Sequence, residues 1–390
     1  MDKNTANVWK LKGRIDSVNA EQIERELSAY AEKTDAEALV LDAKELEYIS
    51  SAGLRVLLRL MKKGIRIQMT EVSPVVWEIL DVTGFLGMLQ AGKALREISV
   101  EGCPLIGQGG TAGVYRLDED TIVKLYYDNV PFKKIEKEKT FTRKAFELGM
   151  PCAISFDIVK CGGKYGIVYE LIHARTLAEA IAGEPERLEE YASAYGRLGR
   201  SIHGLPGDPQ IFPETTEQYH EQIERLRAWV DGDAVKRLHG FVDSVPGRGT
   251  LIHGDFHLNN VMLQDGEYIL IDMADVSCGH PVFELACTWV GLVSICSRGP
   301  ELTTKMYGLM PDQLLAVWDG FIRGYFGAQE EKERRRIDAM LQPFALLKTV
   351  LRGIEAGPVP EAMAAGIAGM VRQRLLPAVE QMDTGIYDLF

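Results

Sequence analysis

Three oxygen-bearing side chains carry the strongest chemical signal in this sequence. Asp255 and Asn260 lie five positions apart in His253-Gly254-Asp255-Phe256-His257-Leu258-Asn259-Asn260-Val261-Met262. Asp272 comes 17 positions after Asp255, at the end of the apolar run Tyr268-Ile269-Leu270-Ile271. An aspartate in such a loop can orient a hydroxyl and take its proton. An asparagine and a second aspartate can hold a hard divalent cation such as Mg²⁺ beside substrate phosphates. Upstream, Lys124 stands on the strand-like run Thr121 to Tyr126, after the Gly-rich turn Ile106-Gly107-Gln108-Gly109-Gly110-Thr111-Ala112-Gly113-Val114-Tyr115. A glutamate on the next helix, Glu138 or Glu136, would fix that lysine by an ion pair. In this order the residues are the parts of a phosphoryl-transfer site.

Singly, each has a plainer reading. Gly107-x-Gly109 is also an ordinary hairpin, Lys124 a solvated strand lysine, and Glu136 and Glu138 surface charge on a helix. His253 reads as the organiser of its loop. His257 and His280 lack a third ligand at zinc spacing. Asp275 either supports the metal shell or caps the next turn. The joint order carries the signal.

The elements that position these residues fall into two parts, dividing near residue 100. Val8-Trp9-Lys10-Leu11 alternates as a strand that Gly13 ends; Asn19 can cap a helix from Ala20 to about Lys33, with Ile23, Leu27 and Tyr30 at helical spacing. Ala38 to Leu41 reads as a short buried strand, Ser50 to Gly53 opens a helix through Leu54, Leu57, Leu58 and Met61, and Ile65 to Met69 is a strand. Pro74 starts a further helix. This is a small α/β sandwich, with Trp9, Trp77 and Phe85 as core residues. Beyond residue 100 come the Gly-rich hairpin, the Lys124 strand, a charged helix from about Lys133 to Leu148, and a strand from Tyr165 to Leu171. From about 175 onward the pattern is helical, interrupted at 249–275. There is no internal repeat and no low-complexity tract.

Composition bounds the rest. The chain has 390 residues, ample for two or three domains, with 46% apolar and 26% charged residues. Lys+Arg is 44 and Asp+Glu is 56, a net charge of −12, without the basic footprint of a nucleic-acid binder. No apolar run reaches the ~18 residues of a membrane span. The opening MDKNTANVWK has no apolar region of signal-peptide type. The six cysteines, at 103, 152, 161, 278, 287 and 296, form no CxxC pair, so the expectation is reduced thiols in a cytoplasmic protein.

Over about residues 101–350 the sequence resembles the aminoglycoside phosphotransferase and choline kinase family, a branch of the protein-kinase-like fold. The matching motifs are His253-Gly254-Asp255 with Asn260, then Ile271-Asp272. The resemblance implies ATP and Mg²⁺ as cofactors. It makes Asp255 the catalytic base, Asn260 and Asp272 the metal ligands, and Lys124 the phosphate-binding lysine with Glu138 as its partner. Gly107, Gly109 and Gly110 would cover the phosphates, and the backbone of Tyr169 and Leu171 would contact the adenine. One departure is Gly279-His280-Pro281, where the family commonly has Gly-Asp-Pro, followed by Phe283-Glu284-Leu285-Ala286.

Residues 5–97 resemble the STAS domain, the sulphate transporter and anti-sigma factor antagonist module. Gly13-Arg14-Ile15-Asp16, Ser50-Ser51-Ala52-Gly53-Leu54 and Asp81-Val82-Thr83-Gly84-Phe85 carry the resemblance. It implies Ser51 as a phosphosite for an anti-sigma kinase, with Ser50 in place of the usual preceding aspartate. A helix N-terminus tolerates a phosphate. An ordinary N-cap at Ser50 or Ser51 is the other reading, and the two are compatible.

The expected fold is thus an α/β STAS sandwich (1–97) followed by a bilobal α+β protein-kinase-like fold, with a smaller lobe at 98–173 and a large helical C-terminal lobe at 174–390. The expected activity is transfer of the ATP γ-phosphate to a small-molecule hydroxyl, with the STAS domain regulatory. The competing expectation is a partner-switch regulator, binding an anti-sigma factor or similar protein, whose kinase-like half phosphorylates protein, including Ser51. Neither involves nucleic acid. The helical stretches 180–250 and 285–350, expected to shape the acceptor pocket, contain no readable motif.

Overall fold

A computed structural model describes residues 8–34, 38–327, 330–355 and 360–390. The chain divides into two compact units, residues 1–99 with 159–163 and residues 100–158 with 164–390.

The first unit alternates β1 (Val8–Ile15), α1 (Ala20–Thr34), β2 (Ala38–Ile49), α2 (Ser51–Lys62), β3 (Arg66–Val72), α3 (Pro74–Val82) and β4 (Gln90–Lys93). The four strands pair in parallel in the order β1-β2-β3-β4. Parallel neighbours need a crossover, and the helices supply it. Leu27, Leu57 and Leu60 from the helices are fully buried with Leu41 and Met69 from the strands. Phe85 is buried, and Trp9 and Trp77 pack half-buried against the same core. Gly13 does not end β1: it takes φ +62°, the register shifts beside it, and the strand resumes through Ile15. β2 runs eight residues beyond Leu41, with Ala43, Leu46 and Ile49 still buried while Lys44, Glu45 and Glu47 are exposed.

In the second unit β5 (Leu105–Gln108), β6 (Ala112–Arg116) and β7 (Thr121–Tyr126) form an antiparallel meander. After α4 (Phe132–Glu147) come β8 (Ser155–Cys161), of which residues 155–158 belong to this unit, and β9 (Lys164–Glu170). The strand order is β8-β9-β7-β6-β5, which sets β7 between β6 and β9. α4 buries Ile135, Glu138, Phe141, Thr142 and Ala145, a stripe at three- and four-residue spacing.

The rest is mainly helical, including α5 (Leu177–Gly183), α6 (Leu188–Ile202), α7 (Thr215–Arg225), α8 (Gly232–Asp243), α9 (Val282–Leu292), α10 (Pro300–Tyr307), α11 (Pro311–Phe326) and α12 (Glu331–Glu355). Glycines set how closely α6 and α11 approach. A Cβ at Gly196 would overlap the Phe321 carbonyl, and one at Gly324 the Ser193 carbonyl. Two short antiparallel ladders interrupt the helices: Thr250–Ile252 with Ser277–Gly279, and Val261–Gln264 with Glu267–Leu270. The segment 253–260 leaves the first ladder and enters the second, and Asp272 lies just past the second. No helix among the described residues is long and apolar enough to cross a membrane.

Candidate active site

The 253–260 loop is built from its backbone outward. Gly254 sits at φ +87°, and a Cβ there would overlap the Asp275 carbonyl, so only glycine fits. His253 is fully buried; its Nε2–H donates to the Ile271 carbonyl at 3.1 Å, leaving Nδ1 to accept the Asp255 N–H at 3.3 Å. Glu284 of α9 holds the same turn from behind. Its Oε1 accepts the Gly254 N–H at 2.6 Å, and its Oε2 accepts the His253 N–H at 2.9 Å and the His203 Nε2–H at 3.0 Å. His203 Nδ1 in turn accepts the Tyr325 hydroxyl at 2.7 Å. Burial opposes the charge of Glu284, yet the His203 side-chain and His253 backbone hydrogen bonds hold its carboxyl below the usual range.

Three donors meet the Asp255 carboxylate. Arg352 Nη2 is 3.0 Å from Oδ1; Asn260 Nδ2 and His257 Nε2 are 3.2 and 3.3 Å from Oδ2. Burial pushes this carboxyl up, but the His257 hydrogen bond and charge, with the Arg352 charge, outweigh it and keep Asp255 below the ordinary carboxylate range. Asn260 also donates to the Asp255 carbonyl at 2.9 Å. Its amide nitrogen is therefore committed to Asp255, and its Oδ1 is the atom left to meet a cation. Asp272 takes φ +63°, a conformation rare outside glycine. Together Asn260 and Asp272 offer the oxygen donors that suit Mg²⁺, which needs few protein ligands when phosphates supply others.

Lys124 of β7 joins the two lobes of this site. Its Nζ lies 2.7 Å from Glu138 Oε1 and 2.9 Å from Asp272 Oδ1. Burial works against its charge, but the Asp272 and Glu138 carboxylates hold the ammonium above its ordinary range. Glu136, the other candidate, is exposed on the opposite face of α4, while Glu138 is only 5% exposed. The buried Tyr169 hydroxyl also donates to Glu138 Oε1, at 3.2 Å.

A cavity of about 300 Å³ opens beside this ion pair. Ile122, Met262 and Ile271 are among its apolar walls, and Lys124, Glu138, Asn260 and Asp272 form its polar end. Gly107, Tyr169 and Leu171 line it; Gly109 and Gly110 do not. The latter two shape the turn instead, the Gly109 N–H donating to the Ala112 carbonyl at 2.9 Å. Tyr169 is paired with Ile122 in the β7–β9 ladder, and the Leu171 N–H is spent on the Asp120 carbonyl at 2.7 Å. Strand pairing thus takes the Leu171 N–H, one of the main-chain groups of this segment. Among the described residues, the Ile172 N–H has no protein acceptor.

A second cavity, of about 460 Å³, lies beside Asp255. Its lining includes Gln222 and Arg225 of α7, Cys287 of α9, and Lys348 and Arg352 of α12. The two cavities adjoin where Asn260, in the wall of the first, bonds Asp255, in the wall of the second. His257 and His280 do not come together as a pair: His257 bonds Asp255, while buried His280 packs edge-on to Tyr387 and Phe390. Asp275 also lines the second cavity.

Sequence reasoning missed Arg352 and Lys348, which belong to no motif. It quoted Glu284 without giving it a role. A lone carboxylate in the apolar helix VFELACTWVGL was the available signal, since a buried charge needs partners.

The sequence profile described as Phosphotransferase enzyme family matches residues 103–335. The chain belongs to this family. The STAS domain profile matches residues 3–98 of this family member, and its first unit is a STAS domain. There it is 43% identical over 88 residues to a putative anti-sigma factor antagonist, BtrV, of Bordetella bronchiseptica, covering 22% of this chain and 75% of that protein. Solved structures similar to this family member include amicoumacin kinase hAmiN in complex with AMP-PNP, Ca²⁺ and Ami, at 16% identity and TM-score 0.46, covering 80% of this chain and 97% of that one. The ADP-bound aminoglycoside phosphotransferase APH(2'')-Ib is 12% identical at TM-score 0.48, over 71% and 94% of the two chains. A choline/ethanolamine kinase family protein from Mesorhizobium loti is 18% identical at TM-score 0.46, over 72% and 92%.

Proposed function

We propose that this chain is an ATP- and Mg²⁺-dependent kinase of a small-molecule hydroxyl, with its STAS domain regulatory. The observation that carries the reading is the pair of cavities that adjoin at the Asp255–Asn260 hydrogen bond, one ending in Lys124 and Asp272, the other lined by Asp255. A nucleotide in the first and an acceptor in the second would present the γ-phosphate and the hydroxyl to each other across that bond, the positioning on which phosphoryl transfer depends.

Each residue then has one task. The apolar walls of the smaller cavity take the base, with the Ile172 N–H as the donor offered to its edge. Lys124, steered by Glu138, binds phosphate oxygens. Gly107 brings backbone close to the phosphates, and Gly109 and Gly110 form the turn that carries it. Asn260 Oδ1 and Asp272 would hold Mg²⁺, which when bound neutralises phosphate charge. Asp255 orients the acceptor hydroxyl and receives its proton. The acceptor oxygen bonds to the γ-phosphorus, the bond from that phosphorus to the β–γ bridging oxygen breaks, and ADP leaves.

The test is transfer of label from γ-labelled ATP to a pool of small hydroxyl compounds, comparing the wild-type protein with Asp255→Asn. Label on a small molecule, reduced about 10²–10⁴-fold in the variant while nucleotide affinity holds, supports the reading. Unchanged turnover in Asp255→Asn removes that residue from the mechanism.

A second reading has its own support. The STAS region is 43% identical to an anti-sigma factor antagonist, and Ser51 is exposed at the first turn of α2. On this reading the chain is a partner switch and Ser51 its phosphosite. A phosphate there would add about −1.5 to −2 charges to a docking surface. Label retained on the protein and lost in Ser51→Ala supports it. Equal recovery of an anti-sigma-type partner by the wild type and Ser51→Asp counts against it.

A further inference from the structure

The cavity beside Asp255 has a basic wall. Lys348 and Arg352 stand one turn apart on α12, which sets them on the same face, and Arg225 joins them from α7. Of the carboxylates in this wall, Glu284 is taken up by two backbone amides and His203, and Asp255 by Arg352, Asn260 and His257. Glu221 and Asp275 complete the acidic set.

Arg352 is the unusual member. Its guanidinium lies on Asp255 Oδ1, the oxygen that Asn260 and His257 leave alone. A carboxylate offers about four acceptor positions, and three donors are already in place. Arg352 is the donor that reaches Asp255 from the acceptor cavity, with Cys287 Sγ also 3.0 Å away. Its side chain is 37% exposed, so a ligand in the cavity can reach it. A further polar atom points to a ligand there: Gln222 Oε1 is buried with no hydrogen-bond partner among the described residues.

Building on the kinase reading above, we infer that the acceptor carries an anionic group, carboxylate or phosphate, close to its reactive hydroxyl, and that this group draws Arg352 off Asp255 so that acceptor binding frees the base. Guanidinium pairs with either anion through two parallel hydrogen bonds. Lys348 adds a second charge to the same anion. Because Arg352 and the hydroxyl would approach the same Asp255 oxygen, hydrogen-bond lengths place the anion roughly 4–6 Å from the reacting hydroxyl. Gln222 Oε1 accepts a hydrogen bond from a second hydroxyl or an amine of the acceptor.

The experiment uses the full chain, γ-labelled ATP and Mg²⁺, with matched acceptors that differ in the anion: glycerate against glyceramide, serine against serinamide, and glycerol 3-phosphate against glycerol. Kanamycin serves as a polycationic control. The expected result is that an anionic member exceeds its neutral twin by at least about tenfold in kcat/KM, the winning pair distinguishing carboxylate from phosphate. Arg352→Ala should raise the KM for that acceptor about tenfold and raise acceptor-independent ATP hydrolysis several-fold, because water gains access to Asp255 Oδ1. Lys348→Ala should raise the KM alone. Neutral twins or kanamycin performing as well as the acids would overturn the inference. So would Arg352→Ala with an unaltered KM and no gain in hydrolysis. The wild-type comparison decides the matter even if Arg352→Ala fails to fold. ATP hydrolysis that depends on Lys124, with no labelled anionic acceptor, sinks this inference and leaves the kinase reading standing; no ATP binding at all sinks both.

Discussion

The Glu284 carboxylate accepts the Gly254 N–H at 2.6 Å, so a helix buried in the larger lobe grips the loop that carries Asp255. Removing that charge should disturb both fold and chemistry. Glu284→Gln retains the shape but turns one acceptor oxygen into a donor facing an N–H group. We expect a loss of about 2–4 kcal/mol in urea unfolding, the range for breaking one side of a buried, hydrogen-bonded charge. Turnover should fall at least about tenfold with the KM for ATP little changed, because the loop is displaced and the nucleotide cavity is not. Native-like stability in this variant would mean that the three hydrogen bonds contribute little.

Lys124 predicts a different pattern. Its ammonium bridges Glu138 and Asp272, 2.7 and 2.9 Å away, and is only 15% exposed. Lys124→Ala should lower kcat/KM for ATP by about 10²–10³, the usual effect of losing one preorganised charge from a phosphate site. Glu138→Gln should give a smaller loss of the same kind, since the lysine remains but is no longer aimed. Steady-state kinetics with varied ATP, alongside fluorescence titration of a nucleotide analogue, would check both.

His280 makes stability depend on pH. Burial first, and then the Arg248 charge, push its imidazole from 6.5 down to about 4. Between these values the unfolded chain binds a proton that the folded chain refuses. The contribution of neutral His280 is therefore complete above about pH 6.5 and declines as pH falls, by on the order of 3 kcal/mol at pH 4. His280→Asn, whose side-chain oxygen can replace Nδ1 as acceptor for the Val282 N–H, should flatten that part of the profile. Urea midpoints measured from pH 4 to 7 would show an unchanged slope if His280 is not responsible.

The two serines at the start of α2 have separate roles. Ser50 is the cap: its Oγ accepts the Ala52 N–H at 3.2 Å and the Gly53 N–H at 3.5 Å. Ser51 is the first helical residue and is exposed. Ser50→Ala should cost about 1 kcal/mol, and Ser51→Ala less than about 0.5. Equal losses in urea unfolding would contradict this division. With capping assigned to Ser50, the Ser51 hydroxyl is not the cap of this helix.

Much of the site was legible because its residues are close in sequence. Asp255, Asn260 and Asp272 lie within one loop and hairpin, and the structure brings Asp255 and Asn260 into contact. The choice between Glu138 and Glu136 was open because both lie on one helix; burial of the Ile135–Glu138–Phe141 stripe decides it. The α/β order of the first unit followed from short apolar runs and cap residues, while the full length of β2 did not, since its second half keeps only Leu46 and Ile49 buried. Arg352 was invisible. It meets Asp255 across 97 positions, from a helix whose sequence shows no more than a basic residue at a helical position. The competition for Leu171 was hidden as well, because a main-chain donor is spent in strand pairing whatever its side chain.

The glycine contact between α6 and α11 bears on how new acceptors can be acquired. Where a Cβ at Gly196 or Gly324 would overlap a neighbouring carbonyl, almost any substitution forces two helices apart. Those helices form a chassis with little freedom to drift. α7 and α12 instead line the cavity beside Asp255 with Gln218, Gln222, Arg225, Lys348 and Arg352. A library randomised on α7 and α12 should therefore retain folded members and diverge in acceptor preference, whereas one randomised along the α6–α11 seam should yield mostly insoluble protein.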